Sequence, residues 1–310
     1  MKQWLVFGLL GVVWGSSFLW IKIAVAETGP FTLVTFRLLF GLLGLALIML
    51  ARKQGLRMSK RTLAAFAFMG VFNTAVPFVL ITWGEQYIAS SLAAILNATV
   101  PLFTIVFAHF YLHDEKITLP KLAGLALGFV GIVVLVSRDF APDVLRNALA
   151  GAGLWGQAAV LVGSISYAVA ATFSRRHLRG QPPILQAGMV LLIADAIMWT
   201  VTPVVERPMN LPDSSLAWFA IVWLGLLGSC LAYVLFFYLI NAWGPTRASL
   251  VTYVFPVIGL ILGIIFLHEP ADWRLLIGTL LIVGGIGVVN VRPKPKPQMA
   301  PRDGAAVGAD

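Results

Sequence analysis

Residues 93–114 read AAILNATVPLFTIVFAHFYLHD, and residues 248–269 read ASLVTYVFPVIGLILGIIFLHE. Each stretch places a proline eight residues after its first alanine and ends on leucine, histidine and an acid, and the two stretches lie 155 positions apart. Each one is long enough to cross a hydrocarbon core of about 30 Å as a helix. The repetition predicts a membrane protein that is built from two related halves.

A proline lies inside each of the two stretches and is a candidate hinge. Pro101 and Pro256 cannot donate a backbone hydrogen bond, so they free the carbonyls of Asn97 and Thr252 and bend both helices. Membrane helices also tolerate proline without any special role. The matched polar positions nevertheless favour a wall of a cavity, because polar backbone at membrane depth is tolerated where it faces protein or water.

The composition indicates an integral membrane protein with little room for a soluble domain. The chain has 310 residues, of which 59% are hydrophobic and 11% are charged, whereas soluble domains carry about 25% charged residues. The net charge of +9 does not indicate a nucleic-acid partner, because the basic residues lie in short loops between apolar runs. The one cysteine, Cys230, lies in an apolar run and can form no disulfide within the chain.

The apolar runs predict an all-α integral membrane protein with ten transmembrane helices. The amino-terminal run is interpreted as the first of them and not as a signal peptide. Residues 138–152 connect the two halves, and the proline-rich residues 292–310 are predicted to form a disordered cytoplasmic tail. The predicted spans are 4–26, 31–51, 62–83, 88–112, 120–137, 153–174, 184–204, 215–239, 247–267 and 274–291.

The distribution of lysine and arginine predicts the orientation of the chain in the bilayer. With the amino terminus inside, sixteen of these residues fall in inner segments and four in outer segments. Because basic loops stay in the cytoplasm, we expect both termini on the cytoplasmic side of the inner membrane.

The repeat extends beyond the two proline stretches. Pro30 corresponds to Pro183 at an offset of 153, and Gly70 corresponds to Gly225 at an offset of 155. The halves are therefore residues 1–137 and 153–291, with five helices each. Five is odd, so the second half has to enter the membrane from the opposite side. Duplication can be merely structural, but inverted repeats commonly build secondary transporters with a substrate site between the halves.

These features resemble the drug/metabolite transporter superfamily in its EamA-like branch, over almost the whole chain. The resemblance is carried by Trp14-Gly15-Ser16-Ser17-Phe18, by Pro30 followed by Arg37, and by the repeated alanine, proline and Leu-His-acid pattern. Within the branch the chain looks most like the YddG-type exporters of aromatic and other amino acids. The resemblance implies ten helices around a central cavity and outward movement of small metabolites, with no ATP, no cofactor and no enzymatic activity.

Absent motifs bear on the alternatives. The chain has no phosphate-binding loop of the GxxxxGK[ST] type and no HExxH or GxSxG motif, so it lacks the usual sequence features of an ATP-driven pump or a membrane hydrolase. An exporter of other drugs or metabolites is the first alternative. A membrane-embedded enzyme or a lipid-handling protein is the alternative from a different class.

Charged residues inside the spans are candidate functional residues, because burying them in a membrane is costly. Arg37 could bind a substrate carboxylate, or it could be a structural partner of Glu27 or Glu85. Lys22 could face the cavity or reach to the membrane surface. Asp195, the one acid deep inside a predicted span, could carry a proton or be a protonated acid that is hydrogen-bonded to a neighbouring helix.

Aromatic and small polar residues at helical spacing predict the cavity wall, since ligand sites combine apolar surfaces with a few polar groups. Ordinary aromatic packing would explain some of them equally well. We expect an amphipathic substrate such as an amino acid with a bulky side chain. The predicted substrate-binding residues are Trp14, Ser17, Phe18, Arg37, Asn73, Thr74, Phe78, Asn97, Tyr167, Tyr233, Phe237, Thr252 and Tyr253.

A metal site is not predicted. His113 and Asp114 would lie on the opposite membrane face from His268 and Glu269, so the two clusters cannot share an ion and are expected to pair with loop bases instead. Glycine pairs spaced four residues apart, such as Gly124 with Gly128, are expected to pack helices within one chain. The partners predicted are thus a small-molecule substrate and the lipid bilayer, with the protein as a monomer.

Overall fold

A computed structural model describes residues 1–53, 58–136, 151–258, 261–262 and 273–290. The described residues form helices and connecting turns, with no strand among them. The predicted connection at 138–152 lies almost wholly outside these ranges, as do the tail at 292–310 and the residues His268 and Glu269.

Ten helical elements are described, and four of them contain irregular segments. Helices α3 and α8 each include a π-helical segment, α4 is interrupted at residues 98–99, and α9 continues as a 3₁₀ segment over Leu250–Val254. The elements are α1 (Lys2–Val25), α2 (Pro30–Ala51), α3 (Lys60–Gly84), α4 (Ser90–Asn97 and Val100–Tyr111), α5 (Leu119–Val136), α6 (Ala152–His177), α7 (Pro183–Val205), α8 (Ser215–Trp243), α9 (Pro245–Ser249) and α10 (Trp273–Asn290).

Seven of these helices are long and apolar enough to cross a membrane, namely α1 to α4 and α6 to α8. Two further apolar helices are shorter, over Leu119–Val134 and Leu276–Asn290. Of the predicted ninth span, 247–267, the structure describes residues 247–258 and 261–262. Within the described ranges, the chain is therefore a multi-pass helical membrane protein.

Helices α2 and α7 pack as an antiparallel pair. At one end the Glu206 carboxylate accepts hydrogen bonds from the backbone N–H of Phe31, at 2.9 Å, and of Thr32, at 2.8 Å. At the other end Met49 lies against Gly188. The carboxylate caps the first turn of α2, where backbone N–H groups have no partner inside the helix.

Helices α5 and α10 form a second antiparallel pair that depends on glycine. Gly124 faces the backbone of Gly285, and a Cβ atom added to Gly124 would lie 2.7 Å from the Gly285 carbonyl oxygen. Gly131 faces the backbone of Gly278 in the same way. Small residues let helix backbones approach closely, so the glycine pattern packs helices inside one chain.

The remaining main pairs join α1 with α8 and α3 with α6. The Trp4 and Trp243 rings lie 4.8 Å apart at one end of the first pair, and the Trp20 and Phe219 rings lie 5.2 Å apart at the other. In the second pair, Gly84 at the end of α3 meets Gly156 near the start of α6. Both pairs are antiparallel.

Two π-helical segments occur at matched positions of the two halves. Val71–Ala75 interrupts α3 directly after Gly70, and Leu226–Leu231 interrupts α8 directly after Gly225. Their starts are 155 residues apart, which is the offset of the repeated proline stretches. A π segment inserts an extra residue into a helix and is often found at functional sites.

Two carboxylates tie the helices together at one end of the bundle. This end, where α1 ends and α8 begins, is called here the Glu27 end. The Glu27 carboxylate accepts hydrogen bonds from the Ser214 hydroxyl, at 2.5 Å, and from the Ser214 backbone N–H, at 2.9 Å. It therefore caps the amino terminus of α8 in the same manner as Glu206 caps α2.

The opposite end, where α4 and α6 end, is called the Asp114 end. The Asp114 carboxylate lies 2.9 Å from the Arg175 guanidinium, and this hydrogen bond holds the pKa of Asp114 below its ordinary value. Glu115 pairs with Lys121 at 2.8 Å. These two acids therefore pair with bases, as the sequence predicts for them, and the described residues contain no cluster that could hold a metal ion.

The Glu27 cap predicts a pH-dependent contribution to stability. The Ser214 hydroxyl and backbone N–H groups lower the pKa of Glu27 from its ordinary value of 4.5. A lowered pKa stabilises the fold above pH 4.5, and this stabilisation is lost as the pH falls through the folded-state pKa. We expect Glu27→Gln to lower the unfolding temperature at pH 7, and the difference from the wild type to shrink below about pH 4.

The measurement is thermal unfolding in detergent, followed by a fluorogenic thiol reagent. Cys230 is the single cysteine and is buried, so it reacts when the bundle opens. Asp213→Asn is the control, because it removes a neighbouring carboxylate and leaves the Ser214 bonds to Glu27 in place. Equal unfolding temperatures for Glu27→Gln and the wild type at pH 7 would contradict the role of the cap.

Candidate functional site: a central cavity beside Arg37

A cavity of about 70 Å³ lies among α1, α2, α3, α4, α6, α8 and α9. This volume is above the minimum of about 10–15 Å³ that a cavity needs to hold one water molecule, so the cavity can hold water or a small ligand. Residues from both predicted halves line it. The cavity is therefore where the two halves meet, as expected for a substrate site in a duplicated transporter.

Aromatic rings form one wall of the cavity. Trp14 packs against Phe236 with ring centres 5.0 Å apart and against Tyr233 and Phe255 at 6.2 Å. The Trp14 indole N–H donates a hydrogen bond of 2.8 Å to the carbonyl oxygen of Gly228. That carbonyl belongs to the π segment of α8, so the irregular backbone fixes the orientation of the indole ring.

Arg37 supplies the positive charge of the cavity. Its side chain is only 4% exposed, its Nε–H donates to the Ser229 hydroxyl at 3.0 Å, and its guanidinium lies 3.9 Å from the centre of the Phe78 ring. Ser229 thus contacts one edge of the planar guanidinium group, and Phe78 contacts one of its faces. Among the described residues, neither Glu27 nor Glu85 lies within ion-pairing distance of it.

The guanidinium of Arg37 is thus positioned without a carboxylate partner in the described part of the chain. A buried cation is costly unless it is paired. Cation and ring contacts, such as the one with Phe78, offset part of this cost. The arrangement is suited to binding an anionic group that enters the cavity, because guanidinium and carboxylate form two parallel hydrogen bonds.

The π segment of α3 is held by Tyr233 from α8. The Tyr233 hydroxyl donates to the carbonyl oxygen of Asn73 at 3.0 Å and lies 2.9 Å from the Thr74 hydroxyl. Since Tyr233 has one hydroxyl proton and donates it to Asn73, Thr74 is the donor in the second bond. The tyrosine therefore satisfies a carbonyl that regular helical bonding leaves free.

Three polar side chains in the cavity lining have an unpaired atom. The side-chain oxygens of Asn73, Thr82 and Asn97 are buried and have no hydrogen-bond partner in the described part of the chain. Buried polar groups are almost always hydrogen-bonded, so exceptions suggest a missing ligand or water. Amide and hydroxyl oxygens accept hydrogen bonds, and they would suit a group that donates them, such as an ammonium.

The π segment also explains why Asn73 and Thr82 share one wall. Nine residues of regular α-helix would turn by about 900° and place them on opposite faces. Asn73 lies inside the π segment, whose wider turns reduce the rotation between the two residues. Both side chains line the cavity.

Most of the predicted binding residues line the cavity. They come from seven separate helices that the fold brings together, and Arg37 is the only charged side chain among the described residues of the lining. The predicted residues in the lining are Trp14, Ser17, Phe18, Arg37, Asn73, Phe78, Asn97, Tyr167, Tyr233 and Thr252.

Three predicted binding residues lie behind the lining instead. Thr74 is fully buried against Tyr233, and Phe237 packs its ring 5.8 Å from the same tyrosine. Tyr253 is fully buried and donates its hydroxyl to the carbonyl oxygen of Leu125 at 3.0 Å. These residues support the wall, because helical spacing alone cannot tell which aromatic residues of a bundle face a cavity and which face a neighbouring helix.

The lining also includes residues that the sequence did not predict. Ser249 could have been predicted, because it lies one helical turn before Thr252. Thr82 could not be predicted from regular helical spacing, because its place in the lining depends on the register change of the π segment. The apolar residues carry no distinguishing pattern in a chain that is apolar throughout. The additional lining residues are Ile21, Ile81, Thr82, Val100, Ala171, Phe236, Ser249 and Phe255.

The other intramembrane candidates lie outside the lining. Asp195 in α7 is 6% exposed and has one carboxyl oxygen without a partner, but it does not contact the cavity. The Lys22 ammonium donates to the carbonyl oxygens of Glu85, at 2.5 Å, and Ile88, at 3.3 Å. Lys22 therefore binds the carboxyl-terminal end of α3, where a positive charge is favourable.

The predicted hinges coincide with irregular backbone. The interruption of α4 at residues 98–99 immediately precedes the turn that contains Pro101, and the 3₁₀ segment Leu250–Val254 precedes Pro256. Asn97 and Thr252, whose carbonyls the prolines leave without a helical donor, both contribute to the cavity lining. Whether these points move during function stays a prediction.

The Tyr233 hydroxyl provides a test of how the site is held. We expect Tyr233→Phe to destabilise the protein by about 1–3 kcal/mol, because Asn73 and Thr74 are then left unpaired in a buried place. Tyr238→Phe, in the same helix, is the control, since no described hydrogen bond involves the Tyr238 hydroxyl. The thiol-reagent unfolding assay on Cys230 compares the two variants. A Tyr233→Phe variant as stable as Tyr238→Phe would show that the hydroxyl does not hold the π segment.

Comparison with known proteins shows the family of the chain. An uncharacterized inner membrane transporter of Escherichia coli K12, YedA, is 32% identical over 264 residues, which are 82% of this chain and 79% of that protein. An uncharacterized transporter of Archaeoglobus fulgidus is 27% identical over 289 residues, which are 93% of this chain and 99% of that protein.

A solved crystal structure shares the fold. Its TM-score is 0.73 at 22% sequence identity, and the match covers 93% of this chain and 97% of the other. The model of the EamA-like transporter family matches the sequence over residues 2–137 and again over residues 154–291. The chain belongs to the EamA-like transporter family, and it is a membrane transporter protein.

Proposed function

We propose that this protein is a secondary transporter that exports small amphipathic metabolites, in particular neutral amino acids, by alternating access around the central cavity. The observation that carries the proposal is the buried Arg37 guanidinium, which faces the cavity lining without a carboxylate partner among the described residues. A resident cation without an internal counter-ion favours a substrate that brings a carboxylate with it.

The polar groups across the lining support a zwitterion as the substrate. Arg37 would bind the carboxylate, and the unpaired oxygens of Asn73, Thr82 and Asn97 would accept hydrogen bonds from the ammonium group. The wall of Trp14, Tyr233 and Phe236 leaves an apolar surface for the side chain.

The volume of the cavity bears on the size of the substrate. At about 70 Å³ the cavity is smaller than typical ligand pockets of about 300–1,000 Å³, so in this conformation it suits small amino acids such as alanine, serine or threonine. An aromatic amino acid, as exported by the YddG-type proteins that the chain resembles, would require the ring wall to move. Both size classes therefore belong in the first transport assays.

The architecture supports two inverted halves. Helices α2 and α7 correspond under the repeat and run antiparallel, as do α5 and α10. The two π segments follow the same offset of 155. A repeat interface of this kind is where alternating-access carriers bind their substrate, and bends at Pro101 and Pro256 would let one half move against the other.

The orientation remains as the sequence predicts. Residue Met1 and the end of α10 at Asn290 lie at the Asp114 end of the bundle, because α1 is antiparallel to α8, and α10 is antiparallel to α5. This end carries the basic residues Arg175, Arg176 and Arg179, so we assign it to the cytoplasm. A monomer in the inner membrane satisfies these observations.

Export of other metabolites of the same size is the main alternative. A membrane-embedded enzyme or lipid-handling protein is the alternative from another class, and the relatives, which are described as transporters, favour transport over it. Accelerated exchange of labelled substrate in the presence of unlabelled substrate on the far side would distinguish a carrier from a channel.

The first transport prediction concerns Arg37. In proteoliposomes with equal pH on both sides, we expect counterflow of labelled alanine, serine, threonine or an aromatic amino acid. Arg37→Gln should raise the half-saturating concentration by about ten- to hundredfold, since a lost hydrogen-bonded charge is worth about 1.5–3 kcal/mol. Arg207→Gln, an exposed arginine at the Glu27 end, is the control. If Arg37→Gln and Arg207→Gln show the same counterflow, Arg37 does not bind the substrate. If the wild type shows no counterflow, the amino-acid substrate is refuted.

The second transport prediction concerns Asp195. If a proton gradient drives export through this residue, Asp195→Asn should abolish the acceleration of transport by a pH gradient while counterflow at equal pH persists. The measurement is efflux from proteoliposomes with and without a pH gradient, with Asp114→Asn as the control. Gradient-driven efflux that survives Asp195→Asn would show that this carboxyl does not couple protons to transport.

A further inference from the structure

Glu85 is a buried carboxyl group that the proposed transport mechanism leaves without a role. It directly follows the last helical residue of α3 and is 0% exposed. Among the described residues, one carboxyl oxygen, Oε1, has no hydrogen-bond partner, and the other accepts a single bond of 3.2 Å from the Ser90 hydroxyl. A carboxylate can accept several hydrogen bonds, so Glu85 is poorly satisfied for a charged group.

The position of Glu85 links it to the cavity. Thr82, one helical turn earlier on α3, lines the cavity and has its own unpaired oxygen. The charges whose field reaches Glu85 are Lys22 of α1 and Arg37 of α2, yet neither lies within ion-pairing distance. Lys22 is engaged by the backbone carbonyls of Glu85 and Ile88.

The other elements around Glu85 contribute no further charge. Helix α6 packs against Gly84 through Gly156 and Val160, and its nearest titratable residue in sequence is Tyr167, in the cavity lining. Helix α4 contributes the polar residues Ser90 and Asn97. The electrostatic surroundings of Glu85 are therefore set by Lys22, by Arg37 and by whatever occupies the cavity.

A charge on Glu85 and an anion on Arg37 act on each other through this shared field. A deprotonated Glu85 partly cancels the attraction of Arg37 for a carboxylate, whereas a protonated Glu85 leaves it at full strength. Conversely, a carboxylate bound to Arg37 makes the charged form of Glu85 less favourable. Coupling between two binding sites is reciprocal, so each event favours the other.

We propose that Glu85 is a proton-binding site that sets the affinity of Arg37 for the substrate carboxylate, so that a proton and a carboxylate-bearing substrate bind together. This inference rests on the proposed function for the identity of the substrate. Under this inference Glu85, and not Asp195, makes the affinity for the substrate depend on pH.

The first experiment measures counterflow in proteoliposomes with the same pH on both sides, from about pH 5 to pH 9, the range in which buried carboxyl groups titrate. The probe is the amino acid that the wild type exchanges best. We expect its half-saturating concentration to rise about tenfold with pH in the wild type. In Glu85→Gln the half-saturating concentration should stay near its low-pH value across the range. Changes caused by ionisation of the substrate itself affect both proteins equally.

Two controls test separately the role of the Glu85 carboxyl group and the role of the substrate carboxylate. Asp213→Asn should keep the pH profile of the wild type, because Asp213 is an exposed carboxylate outside the cavity lining. The carboxamide of the same amino acid lacks the negative charge, so its profile should not differ between the wild type and Glu85→Gln. The proposal is overturned if Glu85→Gln keeps the wild-type profile, or if the carboxamide shows the same dependence on Glu85.

The second experiment does not depend on transport. Infrared difference spectra of the purified protein, with Glu85→Gln as the reference, should show a protonated carboxyl band that titrates between about pH 5 and pH 9. Saturating alanine should move this titration to higher pH. Ser90→Ala removes the donor to the carboxylate and should also move it to higher pH, which provides a second variant if Glu85→Gln does not fold.

The two experiments separate the failure of this inference from the failure of the proposed function. A wild type without amino-acid counterflow, but with an infrared titration that depends on Glu85, would refute the substrate class and retain the proton site. A carboxyl band at Glu85 that does not change between about pH 5 and pH 9 would overturn the proton site, whatever the substrate.

Discussion

The cost of holding a positive charge inside a membrane protein organises the centre of this molecule. Arg37 is 4% exposed, and its contacts with Ser229 and the Phe78 ring position the guanidinium without neutralising it. Such a charge persists only if the surrounding fold supplies the stability that the charge removes. The antiparallel pairs α2 with α7 and α5 with α10, which pack along their length, provide that support. The charge is therefore available to a ligand.

Irregular backbone is the second element of the site. The π segment of α3 aligns Asn73 with Thr82, and the π segment of α8 presents the Gly228 carbonyl to Trp14. Each irregularity frees polar backbone groups inside the bundle, and cavity residues satisfy them, as Tyr233 does for Asn73. The lining therefore depends on both halves at once, because Tyr233 of α8 holds the π segment of α3, and Trp14 of α1 binds the π segment of α8.

Carboxylates at the Glu27 end have a different role. Glu27 and Glu206 each cap the first turn of a helix in the opposite half, α8 and α2 respectively. These two carboxylates connect the halves by charge-assisted hydrogen bonds at one membrane face, while Lys22 binds the end of α3 within the first half. The Asp114 end is connected through Arg175 instead. Polar links of this kind can separate and re-form more readily than packed apolar surface, which is what the proposed alternating access requires.

The amino-acid sequence by itself determined the membrane class, the bounds of the long helices to within a few residues, and the residue types of the cavity. Hydrophobic length and period carry this information locally, because a bilayer requires each span to satisfy its own backbone. Only the tertiary structure decided which side chains face the cavity. It placed Thr74, Phe237 and Tyr253 behind the wall and brought Thr82 into it, and it left Arg37 without Glu85 as an ion-pair partner. These outcomes depend on helix rotation, on the register change within α3 and on contacts between distant segments, and a pattern read along one helix contains none of them.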